Sequence, residues 1–107
     1  MHYYIISGES SGDLYGSRLI RCLKNIDSNS QFTCWGGDYM NEEGVEVIMD
    51  LTQLSFIGFF EVFQNIVTIV KNFSFAKKNI AQVKPDALIL IDYPGFNFQI
   101  AKYGNKL

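Results

Sequence analysis

Hydrophobic positions along the chain follow two alternating rhythms. His2 to Ser7 is a short aromatic and β-branched run closed by Gly8, which predicts a buried strand. Tyr15, Leu19, Leu23 and Ile26 then recur at helical spacing, so a helix is expected to about Ile26, capped by Ser11 or Asp13. Asp27-Ser28-Asn29-Ser30 reads as a turn. Gln31 to Trp35 predicts a second strand broken by Gly36-Gly37, Asp38 to Glu43 a short helix stopped by Gly44, and Val45 to Met49 a third strand with Asp50 at its end. Leu51 to Gly58 fits neither rhythm. From Phe59 onward, Phe59, Val62, Ile66, Ile69, Phe73, Ala76, Ile80 and Val83 step by three and four, which predicts a long helix with one buried face. Lys84-Pro85-Asp86 ends it, because proline disfavours helix in the residue before it. Ala87 to Ile91 is uninterrupted and apolar, the pattern of a central parallel strand covered on both faces. Asp92 to Asn97 reads as a loop at its carboxyl end, and Phe98 to Lys106 as a further helix.

Strands alternating with helices predict an α/β fold, a Rossmann-like, mostly parallel sheet flanked by helices. There is no internal repeat, low-complexity tract or linker. A doubly wound domain ordinarily continues with further strands, so a truncated chain is expected.

Composition narrows the chemistry. With 107 residues, 48% hydrophobic and 19% charged, the chain suits one domain with a modest core. A net charge of −2 gives no argument for nucleic acid as a partner. The single histidine, His2, stands at the terminus, which argues against a histidine-rich metal site or a Ser-His-Asp triad; no metal and no cofactor are expected. Cys22 and Cys34 lack Cys-x-x-Cys spacing and are expected to be buried thiols in a reducing compartment. No secretory signal is visible and no stretch reaches the roughly 18 apolar residues of a membrane span, so a cytoplasmic location is expected.

Two loops fall at carboxyl ends of predicted strands: Gly8-Glu9-Ser10-Ser11-Gly12-Asp13 and Asp92 to Asn97. If the first and fourth strands are neighbours, both loops face one crevice, where open α/β sheets bind ligands. Glu9, Asp13 and Asp92 would then surround an acidic, hydroxyl-lined pocket that suits a sugar better than a bare phosphate. The glycine turn has neither the Gly-x-Gly-x-x-Gly spacing of a dinucleotide site nor the Gly-Lys-Ser/Thr of a P-loop. On spacing alone Gly8 and Gly12 can equally serve the turn, and Asp13 the helix dipole. Asp92 follows five apolar residues. Partial desolvation would raise its pKa and suit it to general-base work, while a carboxylate accepting backbone N–H bonds is the structural alternative. Glu61 can reach a ligand or face solvent. Asp86 is expected to cap or turn before the strand. Phe60, Phe63, Val67 and Val70 form a second apolar stripe followed by Lys71, Lys77 and Lys78. It fits either a helix buried on two sides or an apolar patch resting on an anionic membrane or admitting acyl chains.

Gly8 to Asp13, Gly36-Gly37-Asp38-Tyr39-Met40, Ile57-Gly58-Phe59-Phe60-Glu61-Val62, and Lys84-Pro85-Asp86 through Ile91-Asp92-Tyr93-Pro94-Gly95-Phe96-Asn97 together resemble the amino-terminal part of the lipid-A-disaccharide synthase family. The resemblance covers nearly the whole chain from residue 3. Some members have aspartate where Gly95 stands and proline where Asp38 stands, so Gly95 supplies no second carboxylate. The resemblance implies the incomplete amino-terminal, acceptor-side half of a GT-B glycosyltransferase, with the nucleotide-sugar domain absent and the chain alone inactive. It implies transfer from UDP-2,3-diacylglucosamine to 2,3-diacylglucosamine 1-phosphate, with inversion, giving a β-1,6-linked disaccharide and UDP. Asp92 is then the expected base, with Glu9 as rival. Gly8, Ser10, Ser11, Gly12, Asp13, Glu61 and Asn97 would contact substrate, and Phe60, Phe63, Val67 and Val70 acyl chains or membrane. The protein would work at the membrane surface, peripheral on the inner face of the inner membrane. Two alternatives remain: a small nucleotide- or phosphate-binding Rossmann domain, and a non-catalytic membrane- or partner-binding module.

Overall fold

The structure, a computed structural model, describes the backbone of residues 1–8, 10–50, 59–91 and 94–106, and the side chains of residues 1–8, 11–50, 70–91 and 97–106. Eight elements follow in order: β1 (His2–Ser7), α1 (Ser10–Ile26), β2 (Gln31–Gly36), α2 (Asp38–Glu42), β3 (Glu46–Asp50), α3 (Phe59–Val83), β4 (Ala87–Ile91) and α4 (Pro94–Lys106). The strands form one parallel sheet in the order β3-β2-β1-β4. Parallel neighbours need a crossover, and helices provide it here. From β1 the chain moves outward through β2 to β3, then crosses to the other side of β1 as β4. The strand order therefore reverses between β1 and β4.

Alternation along β1 divides the core into two layers. Tyr4 and Ile6 pack with Trp35, Ala76 and Ile80 of α3, and Ile100 of α4. Ile5 packs on the opposite face with Phe32, Cys34, Ile20 of α1 and Met40 of α2. Burial of these side chains is the main favourable term holding the layers together. In the first layer Trp35 Nε1 donates to Tyr4 Oη at 3.1 Å, and Tyr4 Oη donates to Asn79 Oδ1 at 2.6 Å, so the buried phenol is satisfied. At the amino end of the sheet Asp86 accepts the His2 N–H at 2.7 Å and returns its own N–H to the His2 carbonyl, locking β4 onto β1.

Four expectations need correction. Tyr15 and Ile26 are exposed, at 59% and 82%. The buried face of α1 is instead Gly12, Asp13, Gly16, Ser17 and Ile20, with Leu23 packed against its edge. Small residues let α1 lie close to the sheet: a β-carbon at Gly12 would overlap Ser7 Oγ. The apolar count missed a face made of glycine and serine. Cys22 is likewise exposed, on the outer side of α1, while Cys34 is buried; both are free thiols. Among the described residues β4 pairs with β1 alone and is half-buried throughout, where a central strand covered on both faces was expected. An unbroken apolar run reports cover above and below a strand, not neighbours beside it. Finally, α4 begins at Pro94, inside the segment read as a loop. Proline suits the first helical position, where its missing N–H would have no partner.

The bounds expected for the other elements hold within a residue or two, but α1 begins at Ser10, so Ser11 and Asp13, expected as its cap, lie inside its first turn. Gly44 ends the α2 turn at φ +76°, a conformation glycine adopts without strain. α3 spans the predicted Phe59–Val83. Phe73, Ala76, Ile80 and Val83 of its stripe lie in or against the first core layer. The expectations for Leu51 to Gly58 lie outside the described residues. No helix among those described is long and apolar enough to cross a membrane.

Candidate active site

The carboxyl ends of β1 and β4 are paired: Ser7 lies opposite Ile91 in the ladder. Each is followed directly by one of the two loops singled out in the sequence, with Gly8 after Ser7 and Asp92 after Ile91. The reversal of strand order falls at this place, where neighbouring crossover connections leave on opposite faces and open a crevice. α1 and α4 both begin here, on opposite faces of the sheet, at Ser10 and Pro94.

Asp13 sits in the first turn of α1 and is 4% exposed. Its Oδ1 accepts N–H bonds from Gly37 at 2.9 Å and Met40 at 3.0 Å, and its Oδ2 accepts one from Tyr39 at 3.0 Å. Gly37 precedes α2 and has no side chain to cap it, so Asp13 supplies the cap from another helix. Neither the cap of α1 nor its dipole is the main use of this carboxylate. It joins the glycine turn after β1 to the Gly36–Met40 segment after β2, two stretches separate in the sequence. Ser7, fully buried at the end of β1, was not singled out by the pattern; a lone serine ending an apolar strand carries no helical or alternating signal.

Asn97 lies in the first turns of α4 and is 5% exposed. Its Nδ2 donates to the Ile6 carbonyl at 3.3 Å and approaches the Ile91 carbonyl at 3.5 Å. One amide thus bridges the next-to-last carbonyl of β1 and the last carbonyl of β4. Gly8 is half-buried beside it, Gly12 is buried and Ser11 is exposed. Val70 is exposed on α3 at 60%. Glu9 and Asp92 lie outside the described residues, as do the side chains of Ser10, Phe60, Glu61, Phe63 and Val67.

Two buried groups can be set aside as acids or bases near neutrality. Burial pushes the Cys34 thiol up to about 12, helped by the charges of Asp13 and Glu46. Burial also pushes the Tyr4 phenol up to about 12, against the hydrogen bond from Trp35. Among the described residues no group of three or more histidine, cysteine and acidic side chains could hold a metal. A cavity of about 730 Å³ lies near the opposite end of the sheet, lined by Ile80, Lys84, Pro85, Leu88 and Gly104 among others, and contains none of the candidate residues.

Comparisons with known proteins identify the family. The family model described as lipid-A-disaccharide synthetase matches residues 3–107. Lipid-A-disaccharide synthases of Trichlorobacter lovleyi and Geobacter metallireducens are 39% and 38% identical over 102 residues, and lipid-A-disaccharide synthase 1 of Legionella pneumophila (strain Paris) is 37% identical. Each alignment covers 95% of this chain and 27% of the relative, so the chain spans about a quarter of the length of the curated relatives it matches. The match takes in every element from β1 to α4 and both loops at the switch point, and on that ground the chain belongs to the lipid-A-disaccharide synthase family.

Proposed function

We propose that this chain is the acceptor-side part of a lipid A biosynthetic glycosyltransferase. The enzyme would join UDP-2,3-diacylglucosamine to 2,3-diacylglucosamine 1-phosphate and release UDP. The observation that carries this reading is the pairing of β1 with β4 at the reversal of strand order, where Ser7 and Ile91, the residues from which the two candidate segments continue, lie opposite each other. Family membership supplies the substrate class.

The reaction needs a base for the acceptor 6-hydroxyl. As that oxygen attacks C1 of the donor sugar, its proton passes to a carboxylate, the bond from C1 to the UDP oxygen breaks, and the anomeric centre inverts. Asp92, which follows Ile91 in the sequence, is the proposed base, and Glu9, two residues after Ser7, the second candidate. Asp13 and Asn97 act on position: one fixes α2 against the glycine turn, the other ties the two strand ends. The Gly8, Ser10, Ser11 and Gly12 turn, with Glu61, lines the acceptor side. Stabilisation of the leaving UDP falls to a nucleotide-sugar domain outside these residues, and the 107-residue chain alone is inactive. Exposed Val70 supports an apolar α3 surface, with Phe60, Phe63 and Val67, for acyl chains at the inner face of the inner membrane.

The test uses the full-length protein. Asp92→Asn should lower disaccharide formation at least about 100-fold, the scale of a lost general base, while thermal unfolding stays within a few degrees of the parent. Near-normal turnover in Asp92→Asn together with collapse in Glu9→Gln would transfer the role of base to Glu9. Near-normal turnover in both would remove the base from these two loops.

A further inference from the structure

Asn72 of α3 is 9% exposed, and its Nδ2 has no hydrogen-bond partner. A buried amide left in this state is destabilising, so its retention asks for a reason. Other amide groups in this layer are engaged: Asn79 Oδ1 accepts from Tyr4, and Asn97 Nδ2 donates to the Ile6 carbonyl.

The position of Asn72 supplies the reason. α3 connects two parallel strands and therefore runs antiparallel to them. Asn79 meets Tyr4 in the middle of β1. From Asn79 back to Asn72 the helix rises about 10 Å. From Tyr4 forward to Gly8 the strand rises about 13 Å. Asn72 is thus level with Ser7 and Gly8, at the carboxyl end of the sheet. It stands one helical turn from Ala76, which is fully buried in the layer containing Ile6 and Trp35. This is the same face of the sheet from which Asn97 of α4 reaches the ends of β1 and β4.

We infer that Asn72 is a substrate-binding residue of this crevice, whose free N–H is donated to an oxygen of the acceptor sugar, either an acyl carbonyl or a ring hydroxyl. The inference rests on the function proposed above. An unpaired donor beside a binding site lowers the stability of the empty protein and becomes satisfied when ligand arrives, so stability and binding should move in opposite directions on its removal.

The experiment compares full-length wild type with Asn72→Leu, which keeps the approximate volume and deletes the donor. Asn72→Ala serves as second variant should leucine not be accommodated. Without substrate, Asn72→Leu should unfold at a higher temperature than wild type. The KM for 2,3-diacylglucosamine 1-phosphate should rise about tenfold, one hydrogen bond's worth, with the KM for the UDP-linked donor within twofold. An acceptor lacking both acyl chains separates the two oxygen sources: the defect disappears if Asn72 holds an acyl carbonyl and persists if it holds a hydroxyl. An acceptor KM within twofold of wild type in both variants overturns the inference, as does a defect confined to the UDP-linked donor. Wild-type protein that forms no disaccharide overturns the proposed function itself. Normal wild-type turnover with an unchanged acceptor KM removes only Asn72.

Discussion

Asp13 gathers three backbone N–H groups on one buried carboxylate. Asp13→Ala would leave those donors without acceptor in a place water does not reach, and each such loss costs on the order of 1–3 kcal/mol before relaxation. The expected loss in stability is about 3 kcal/mol, and Asp13→Asn should lose about half as much because one oxygen remains. Urea unfolding of the two variants checks the order and the size. That order has a physical source: the asparagine still caps α2, but it does so without the charge that strengthens these bonds. An acidic residue one turn into a helix is legible in the sequence as a candidate site or dipole partner. Its actual partners lie 24 to 27 residues away, and no local pattern reports a contact of that range. Asn97 repeats the lesson. The sequence singles it out at the end of the Asp92–Asn97 segment, but its hold on the Ile6 carbonyl, 91 residues away, comes from β1 and β4 being neighbours.

Elements were the most readable level, and their ends are where chemistry decides. The carboxyl end of α3 closes with a bond from Lys84 N–H to the Ile80 carbonyl, and Lys84 itself takes φ +50°. Left-handed backbone costs a side chain about 1 kcal/mol and costs glycine little. Lys84→Gly should therefore stabilise the fold by about 0.5–1 kcal/mol, some of the gain being lost to the greater freedom of glycine in the unfolded chain. Thermal unfolding checks this, and activity of the full-length protein should not change, since Lys84 lies at the end of the sheet away from the crevice. The same helix shows why periodicity succeeds where it does. Its stripe of large apolar residues is long enough that one face is unmistakable. On α1 the buried face is built from Gly12, Gly16 and Ser17, which carry no hydrophobic signal, so Tyr15 and Ile26 drew the stripe to the wrong side.

Across the whole molecule the sheet separates two core layers, and each contains one group that resists ionising: Tyr4 in the layer of α3 and α4, Cys34 in the layer of α1 and α2. Their ordinary values are 10.0 and 9.0, and both are pushed up to about 12 in the fold. The folded state therefore holds these protons longer than the unfolded chain does. Stability from this source is complete below pH 9, declines as the unfolded thiol ionises above 9 and the unfolded phenol above 10, and is gone above about 12. About 3 kcal/mol should be lost by pH 10.5, most of it through Cys34. Urea midpoints measured from pH 8 to 11.5 check the slope. In Cys34→Ala the onset of the decline should move from about pH 9 to about pH 10, whatever the variant costs at neutral pH.

By itself the sequence determined the alternation of strands and helices, the parallel α/β class, the extent of α3, the two loops worth watching and the family. These follow from periodicity, turn chemistry and short motifs, all of which act between residues near one another in the chain. Only the tertiary structure decided that β4 pairs with β1, that Asp13 caps a different helix, that Cys22 faces outward, and that Asn72 stands buried with a free donor at the level of the crevice. Strand order, interhelical capping and the burial of a single amide are set by packing between distant segments, where the free energy depends on what arrives beside a residue rather than on what precedes or follows it.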